Sequence, residues 1–304
     1  MQIAFTTPLP AEGFGRLKGY RLNAPLSEAE VLVSTFDKPV DAGLIAQMPR
    51  LRLIANLGAG YNNIDLDACK TRGITVTNTP DTVTEPTAEL AFGLMLCLAR
   101  RVSEFDRRLR NGSCEPMGVM NNLSHSLYGK TLGIIGMGRI GQALARRAVA
   151  SGIKILYHNR HRLPEETEKR YDARYVMPAE LLRKADFVSL NLPYSYEVHH
   201  FIGSKELQEM KSTAYLINTA RGAHVCEDDL VRALKSGQIA GAALDVYEFE
   251  PEISNELLKM DNVVLSPHTG TGTWEGRIAM CENVADNILA WADGETEKMN
   301  IVKL

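Results

Sequence analysis

The chain has 304 residues, 45% of them hydrophobic and 23% charged, which is enough for two ordinary globular domains and rules out a disordered or fibrous class. Its 34 basic and 37 acidic residues leave a net charge of -3, so there is no basic field for a nucleic-acid backbone. No apolar run approaches membrane-spanning length, Met1-Gln2-Ile3-Ala4-Phe5 runs into a strand without a basic leader, and the five scattered cysteines suit reduced thiols, so the expected location is cytoplasmic with no membrane partner.

The first hundred residues alternate β-rich runs (Gln2 to Thr6, Val31 to Thr35, Arg52 to Asn56, Ile74 to Asn78) with helix-like segments at Asp41 to Met48 and Leu66 to Arg72. This predicts a parallel α/β layer. The small-residue loop Leu57-Gly58-Ala59-Gly60-Tyr61 follows the third run and Thr79-Pro80-Asp81 the fourth. At a strand's carboxyl end such a loop either exposes backbone N–H groups to an anion or is a plain tight turn. Glu85-Pro86-Thr87 then opens a helix whose body, Ala88 to Ala99, is apolar nearly all round and so belongs between layers, and the first domain is expected to end there. Ser103 to Lys130 reads as irregular, either a subunit-contact arm or a surface excursion.

Regular alternation resumes at Thr131, with six strands expected: Thr131 to Ile135, Ile153 to His158, Asp186 to Asn191, Ala214 to Asn218, Ala240 to Asp245 and Asn262 to Ser266. Between the first two lie Gly136-Met137-Gly138-Arg139-Ile140-Gly141 and a helix from Gln142 to Ser151. Gly136 permits a tight turn, Gly138 close approach of backbone to a pyrophosphate, and Gly141 close packing of helix on strand. A last helix, Trp274 to Trp291, is expected to cross back to the first domain. The predicted fold class is therefore α/β, with two doubly wound parallel-sheet domains. A Rossmann-type dinucleotide-binding domain (100–270) is inserted into a smaller flavodoxin-like substrate domain (1–99 and 271–304).

The second strand of such a domain usually ends in a carboxylate that binds the ribose 2′-OH of NAD, whereas here it ends in His158-Asn159-Arg160-His161-Arg162. Without that carboxylate, and with Arg160 and Arg162 able to pair with a 2′-phosphate, NADP is the expected cofactor and NAD the alternative. Ligands of these sheets lie beyond the carboxyl ends of the strands, where Arg221, Glu250 and His268 follow the last three runs. Arg221 can grip a carboxylate and a carbonyl oxygen with its planar fork. His268 can donate the proton that accompanies hydride transfer, and Glu250, bonded to the other ring nitrogen, would fix its tautomer and favour its charged form. The adjacent His199-His200 pair has no metal-ligand partner identifiable in the sequence, and no metal is expected.

Several segments, taken in order, resemble the D-isomer-specific 2-hydroxyacid dehydrogenases, and among them the glyoxylate/hydroxypyruvate reductase branch. They are Leu57-Gly58-Ala59-Gly60-Tyr61-Asn62-Asn63-Ile64-Asp65, Thr87-Ala88-Glu89-Leu90-Ala91, Gly129 to Gly136, Asn218-Thr219-Ala220-Arg221-Gly222, Asp245 to Pro251 and Pro267-His268-Thr269-Gly270. The resemblance implies that Arg221, Glu250 and His268 are the catalytic set. It implies a substrate site of Gly58, Ala59, Gly60, Arg221 and His268, with the Ala59 and Gly60 amides on the substrate carboxylate. Expected cofactor contacts are Gly136, Gly138, Arg139, Ile140, Gly141, Asn159, Arg160, Arg162, Leu192, Pro193, Thr219, Ala220, Arg221, Asp245, His268 and Gly270. It further implies a D-configured hydroxy acid, domain closure over the cofactor and a homodimer. Cys114 and Cys226 depart from the family's usual Trp and Asp, and the second change predicts a differently capped helix near Glu227. Two relatives of the same fold are the alternatives: formate dehydrogenases, which have Gln where Glu250 stands, and NAD(H)-sensing transcriptional corepressors. Glyoxylate, hydroxypyruvate and bulkier 2-oxo acids all remain open as substrates.

Overall fold

The computed structural model describes residues 1–303, and the chain divides into two compact units, residues 1–84 with those from 271 onward, and residues 85–270. The first unit is built on five parallel strands, β1 (Gln2–Phe5), β2 (Arg21–Leu22), β3 (Val31–Thr35), β4 (Leu53–Leu57) and β5 (Thr75–Thr77), in the order β2-β1-β3-β4-β5. β3 and β4 are buried at every position, as parallel strands covered on both faces must be. The two-residue edge strand β2 is too short to leave a pattern in the sequence. Asp41 and Asp65 start the helices Ala42–Ala46 and Leu66–Thr71, each accepting a first-turn amide at 2.8 Å. The helix Trp274–Asp293 belongs to this unit, and packs so closely that a Cβ on Gly13 would lie 2.2 Å from Cys281 Cβ.

The second unit carries seven strands where six were expected: β6 (Thr131–Ile135), β7 (Lys154–His158), β8 (Ala173–Tyr175), β9 (Phe187–Leu190), β10 (Tyr215–Asn218), β11 (Gly241–Leu244) and β12 (Val263–Leu265). All pair in parallel, in the order β12-β11-β10-β9-β6-β7-β8. The additional strand is β8, three residues at the sheet edge with Arg174 exposed, so no apolar run marks it. From β6 the chain winds outward to β7 and β8, then returns to the other side of β6 at β9. That reversal opens the crevice in which a ligand of a doubly wound sheet sits.

Two expectations are corrected here. The first boundary falls after Thr84 rather than after Ala99, because the helix Thr84–Ala99 joins the core of the second unit: Ala88, Ala91 and Met95 pack in one cluster with Leu132, Ile134 and Phe187. Burial was legible from its apolar circumference; which core would bury it was not. The segment after Ser103 is not irregular throughout, since Val102–Arg110 is a helix. Arg101, in the left-handed region at φ 54°, breaks the chain from the preceding helix. Glu104 is buried beneath Arg101 (2.6 Å) and Arg108 (2.8 Å), so charge pairing supports a helix with few apolar residues. Among the described residues no helix is long and apolar enough to cross a membrane.

Met95 is fully buried in the core of the second unit. Met95→Ala should cost about 2–5 kcal/mol of stability, read as a lowered denaturation midpoint in chemical unfolding, if this helix is part of that core.

Candidate active site

The turn after β6 has the sterics of a nucleotide cradle. Gly136 lies in the left-handed region at φ 93°, and a Cβ there would come within 2.6 Å of the Leu192 amide nitrogen. A Cβ on Gly141 would come within 2.6 Å of Gly136 O, so the helix Arg139–Ala150 can approach the strand only without one. Gly138 is the opposite case: no atom lies within 4 Å of where its Cβ would be. Its exposed backbone caps the helix, whose first-turn N–H groups lack intrahelical acceptors and favour an anion. At the neighbouring strand ends, Asn191 Oδ1 and Thr219 Oγ1 are buried with no hydrogen-bond partner among the described residues. Orphaned polar atoms beside an open glycine backbone fit a polar ligand such as a dinucleotide. Asn191 was not among the expected contacts, and its position beyond the last apolar residue of β9 is the signal that would have found it.

The tip of β7 is organised differently from the expectation for Arg162. Asn159 Oδ1 accepts the Met137 amide at 2.6 Å, tying the tip to the glycine turn, and Arg160 is exposed. Arg162 instead forms a two-pronged pair with buried Glu168 (2.9 and 2.8 Å), while Tyr157 Oη donates to the same carboxylate at 2.5 Å. The hydrogen bonds from Arg162 and then Tyr157 hold the Glu168 carboxyl down at about 2, and burial followed by the Glu168 bond pushes the Tyr157 hydroxyl up to about 12.

The loops after β10, β11 and β12 bring Arg221, Glu250 and His268 to one edge of the second unit. The Asn218 side chain folds back on the first loop, donating to Arg221 O (2.9 Å) and accepting the Ala220 amide (3.1 Å), and the Arg221 guanidinium donates to Ala220 O at 2.6 Å. Burial pushes its pKa down, opposed by the charge of Glu250, yet an arginine stays protonated. A Cβ on Gly222 would fall 1.9 Å from the backbone of Tyr247, so this glycine is what lets the Arg221 and Glu250 loops lie against each other; the sequence reading passed over it. Buried Asp245 holds the third loop by accepting Ser266 Oγ, the Thr269 amide (2.7 Å) and the Gly270 amide (2.8 Å). His268, at φ 52°, is thereby turned so that Nδ1 meets Glu250 Oε2 at 2.8 Å. Glu250 Oε1 accepts the Tyr247 amide at 2.9 Å. Burial works against the Glu250 carboxylate, but the bonds from His268 and Tyr247 and the nearby positive charges outweigh it and hold its pKa below the usual range.

In the first unit, the loop after β4 has its carbonyls tied inward: Asn56 Nδ2 donates to Gly60 O (2.9 Å) and Asn78 Nδ2 to Ala59 O (2.8 Å). Gly58, at φ 145°, gives its own amide to Thr79 Oγ1 at 2.9 Å. Of the three loop residues, Gly58 therefore contributes shape rather than a donor.

His199 and His200, for which the sequence offered no third partner, meet Glu248: His200 Nε2 lies 2.5 Å from Glu248 Oε1. The other Glu248 oxygen accepts the Glu227 amide at 2.9 Å, so the helix Glu227–Ser236 is capped by Glu248 in place of residue 226.

A nucleotide cradle and a histidine–carboxylate pair on the same sheet edge are the equipment of a nicotinamide-dependent oxidoreductase. Comparison with known proteins narrows that class. The chain belongs to the D-isomer specific 2-hydroxyacid dehydrogenase family, whose NAD binding domain matches residues 92–270. It is 48% identical over 272 residues to a glyoxylate reductase of Thermococcus litoralis, covering 88% of this chain and 82% of that protein. Among solved structures it resembles a D-lactate dehydrogenase of Aquifex aeolicus in complex with NAD and lactic acid (30% identity, TM-score 0.87, 99% of both chains). It also resembles an NADPH-dependent glyoxylate/hydroxypyruvate reductase of Sinorhizobium meliloti (31% identity, TM-score 0.85, 96% of this chain and 94% of that one). The protein is thus an oxidoreductase of the D-2-hydroxyacid dehydrogenase type that uses an NAD(P) dinucleotide.

The Glu168 pair yields a pH test. A carboxyl held at about 2 when folded, against roughly 4.3 when unfolded, contributes stability that is complete above the unfolded value and is lost as pH falls through the folded one. Glu168→Gln should therefore lower Tm near neutral pH, and the gap to the unaltered protein should close as thermal scans are run from about pH 5 toward pH 2.

Proposed function

We propose that the protein reduces a small 2-oxo acid of the glyoxylate or hydroxypyruvate type to the D-2-hydroxy acid, with NADPH preferred over NADH. The observation that carries the reading is the 2.8 Å bond between His268 Nδ1 and Glu250 Oε2 in the unit that holds the glycine cradle. A nicotinamide dinucleotide held at the Gly136–Gly141 turn would, when bound, supply the hydride. His268, held at Nδ1 by Glu250, gives a proton to the carbonyl oxygen as the alkoxide forms. Glu250 stabilises the imidazolium and keeps the ring in one orientation, the division of labour of any histidine held by a carboxylate. Arg221, always charged and forked, binds the substrate carboxylate and polarises the carbonyl. In the first unit, the inward turn of the Ala59 and Gly60 carbonyls by the two asparagines supports reading that loop as one that offers its amides to a carboxylate. Glyoxylate reductase is the name carried by the 48%-identical relative, which supports a small substrate.

For the cofactor, Asn159 puts no negative charge at the ribose, and exposed Arg160 is the cation left for a 2′-phosphate once Arg162 is committed to Glu168. Arg160 takes this role jointly with the β7 tip. A homodimer is supported by the run after residue 102, where Met117 (98% exposed), Val119 (94%), Met120, Leu123 and Tyr128 present apolar surface of the kind that marks an interface.

A panel of 2-oxo acids assayed by NADPH and NADH oxidation tests the reading: turnover of glyoxylate or hydroxypyruvate to the D product is expected, and its absence with every small 2-oxo acid would overturn it. Arg221→Lys should lower kcat/KM on the order of 100-fold, the loss of a charge-assisted grip worth about 3 kcal/mol, while the Kd for NADPH changes little. Arg160→Ala should raise the KM for NADPH roughly tenfold or more and leave that for NADH nearly unchanged, and equal KM values for the two cofactors in the unaltered enzyme would rule out the preference.

A further inference from the structure

We propose that His199, His200 and Glu248 form a binding site for a divalent transition-metal cation of the zinc type, outside the His268–Glu250 pair. One ring nitrogen from each histidine and one Glu248 carboxylate oxygen lie within 4.8 Å of one another. Bonds of about 2.0–2.2 Å to a tetrahedral ion set ligand atoms roughly 3.3 Å apart, so the ligands must draw together and one ring must rotate out of the stack to aim its nitrogen at the ion. His199, exposed on the surface, is the residue free to do so.

The backbone is arranged for this. Adjacent side chains in an extended segment point to opposite sides. Here His200 adopts a left-handed φ of 50°, a conformation that residues with a Cβ rarely take, and the two imidazoles stack on one side with centroids 3.9 Å apart and planes at 25°. The turn is pinned by His200 N donating to Ala223 O (2.8 Å) and Ile202 N to His224 O (2.9 Å). Tyr194 Oη, 3.3 Å from His199 Nδ1, restrains the outer ring. Glu248 is 11% exposed and is oriented by the Glu227 amide on one oxygen, which leaves the other turned to the histidines. Such outer partners, which orient ligating side chains, are a regular part of metal sites.

An ion pair between His200 and Glu248 alone would need neither the second ring nor the left-handed turn. Two imidazoles and a carboxylate are the donor set that suits Zn²⁺, Co²⁺ or Ni²⁺ and disfavours hard cations such as Mg²⁺ or Ca²⁺. With His199 at the surface, water completes the coordination. The ion would join the turn that carries the histidines to the loop that leads to Glu250, and so act as a clamp within one unit.

The test uses the full chain after chelator treatment, titrated with Zn²⁺ by calorimetry and with Co²⁺ by visible absorption. One ion per chain is expected, with the ligand-field bands of a four-coordinate nitrogen and oxygen site, no thiolate charge-transfer band, and a Zn²⁺-dependent rise in Tm. His199→Gln, at an exposed position outside the catalytic machinery, should weaken Zn²⁺ by at least the roughly 10–100-fold that loss of a mere outer partner costs, and should abolish the Tm rise. Glu248→Gln should do the same. No Zn²⁺ binding, unchanged affinity in His199→Gln, or a thiolate band that places the ion on cysteine would each overturn the proposal.

Discussion

The carboxylate of Asp245 is the constraint on which the catalytic edge depends. It is buried at the end of β11, where a charge is tolerable only if its lone pairs are filled, and it fills them from a single loop: Ser266 Oγ, Thr269 N and Gly270 N. His268 N in turn donates to Asp245 O at 2.8 Å. A loop gathered around one point from both directions cannot remain extended. His268 takes up the resulting left-handed turn, and that turn delivers Nδ1 to Glu250. Tyr247 reinforces the closure by donating its hydroxyl to Ser266 O at 2.8 Å, while its amide fixes the other Glu250 oxygen. Gly222 lets the loop after β10 press against the same Tyr247 backbone. Three loops from three adjacent parallel strands thus interlock, and a side chain from each stands at one edge.

Two carboxylates, one and six residues beyond the end of β11, have been given opposite tasks by their surroundings. Asp245 takes its hydrogen bonds from the loop after β12 and organises that loop. Glu250 keeps one oxygen for an imidazole and is only partly covered, so that it stays charged beside His268 and Arg221. At the nucleotide end the controlling force is steric rather than electrostatic. Gly136 and Gly141 stand where any Cβ would strike backbone, whereas Gly138 faces open space that a ligand backbone could enter. The first contributes turn geometry, the second helix approach, and the third access.

The sequence by itself determined the elements with strong local signals. Buried parallel strands must be continuous apolar runs, and β3, β4, β6, β9 and β10 are within a residue or two of where the runs lie. The glycine spacing, the capping aspartates, and the placement of Arg221, Glu250 and His268 at successive strand ends were equally legible, because period, chain order and the rule that ligands lie at carboxyl ends need no tertiary information.

What only the tertiary structure decided has a common physical origin: each depends on which distant group a side chain meets. The strand β8 is held by its neighbour β7 rather than by its own three residues. The helix Thr84–Ala99 is apolar on every side, so its pattern could not say which core would claim it, and the helix Val102–Arg110 owes its form to Arg and Glu pairs that read as loop composition. Arg162 was legible as a cation beside the β7 tip, but Glu168, which lies outside that strand and is held by Tyr157 within it, pairs with Arg162. Glu248 lies 48 residues from His200 in the chain and touches it, and no spacing rule links them. Local sequence decides what conformation a segment prefers; which charge neutralises which, and which face is covered, is settled by the one arrangement that fills every buried polar group at once.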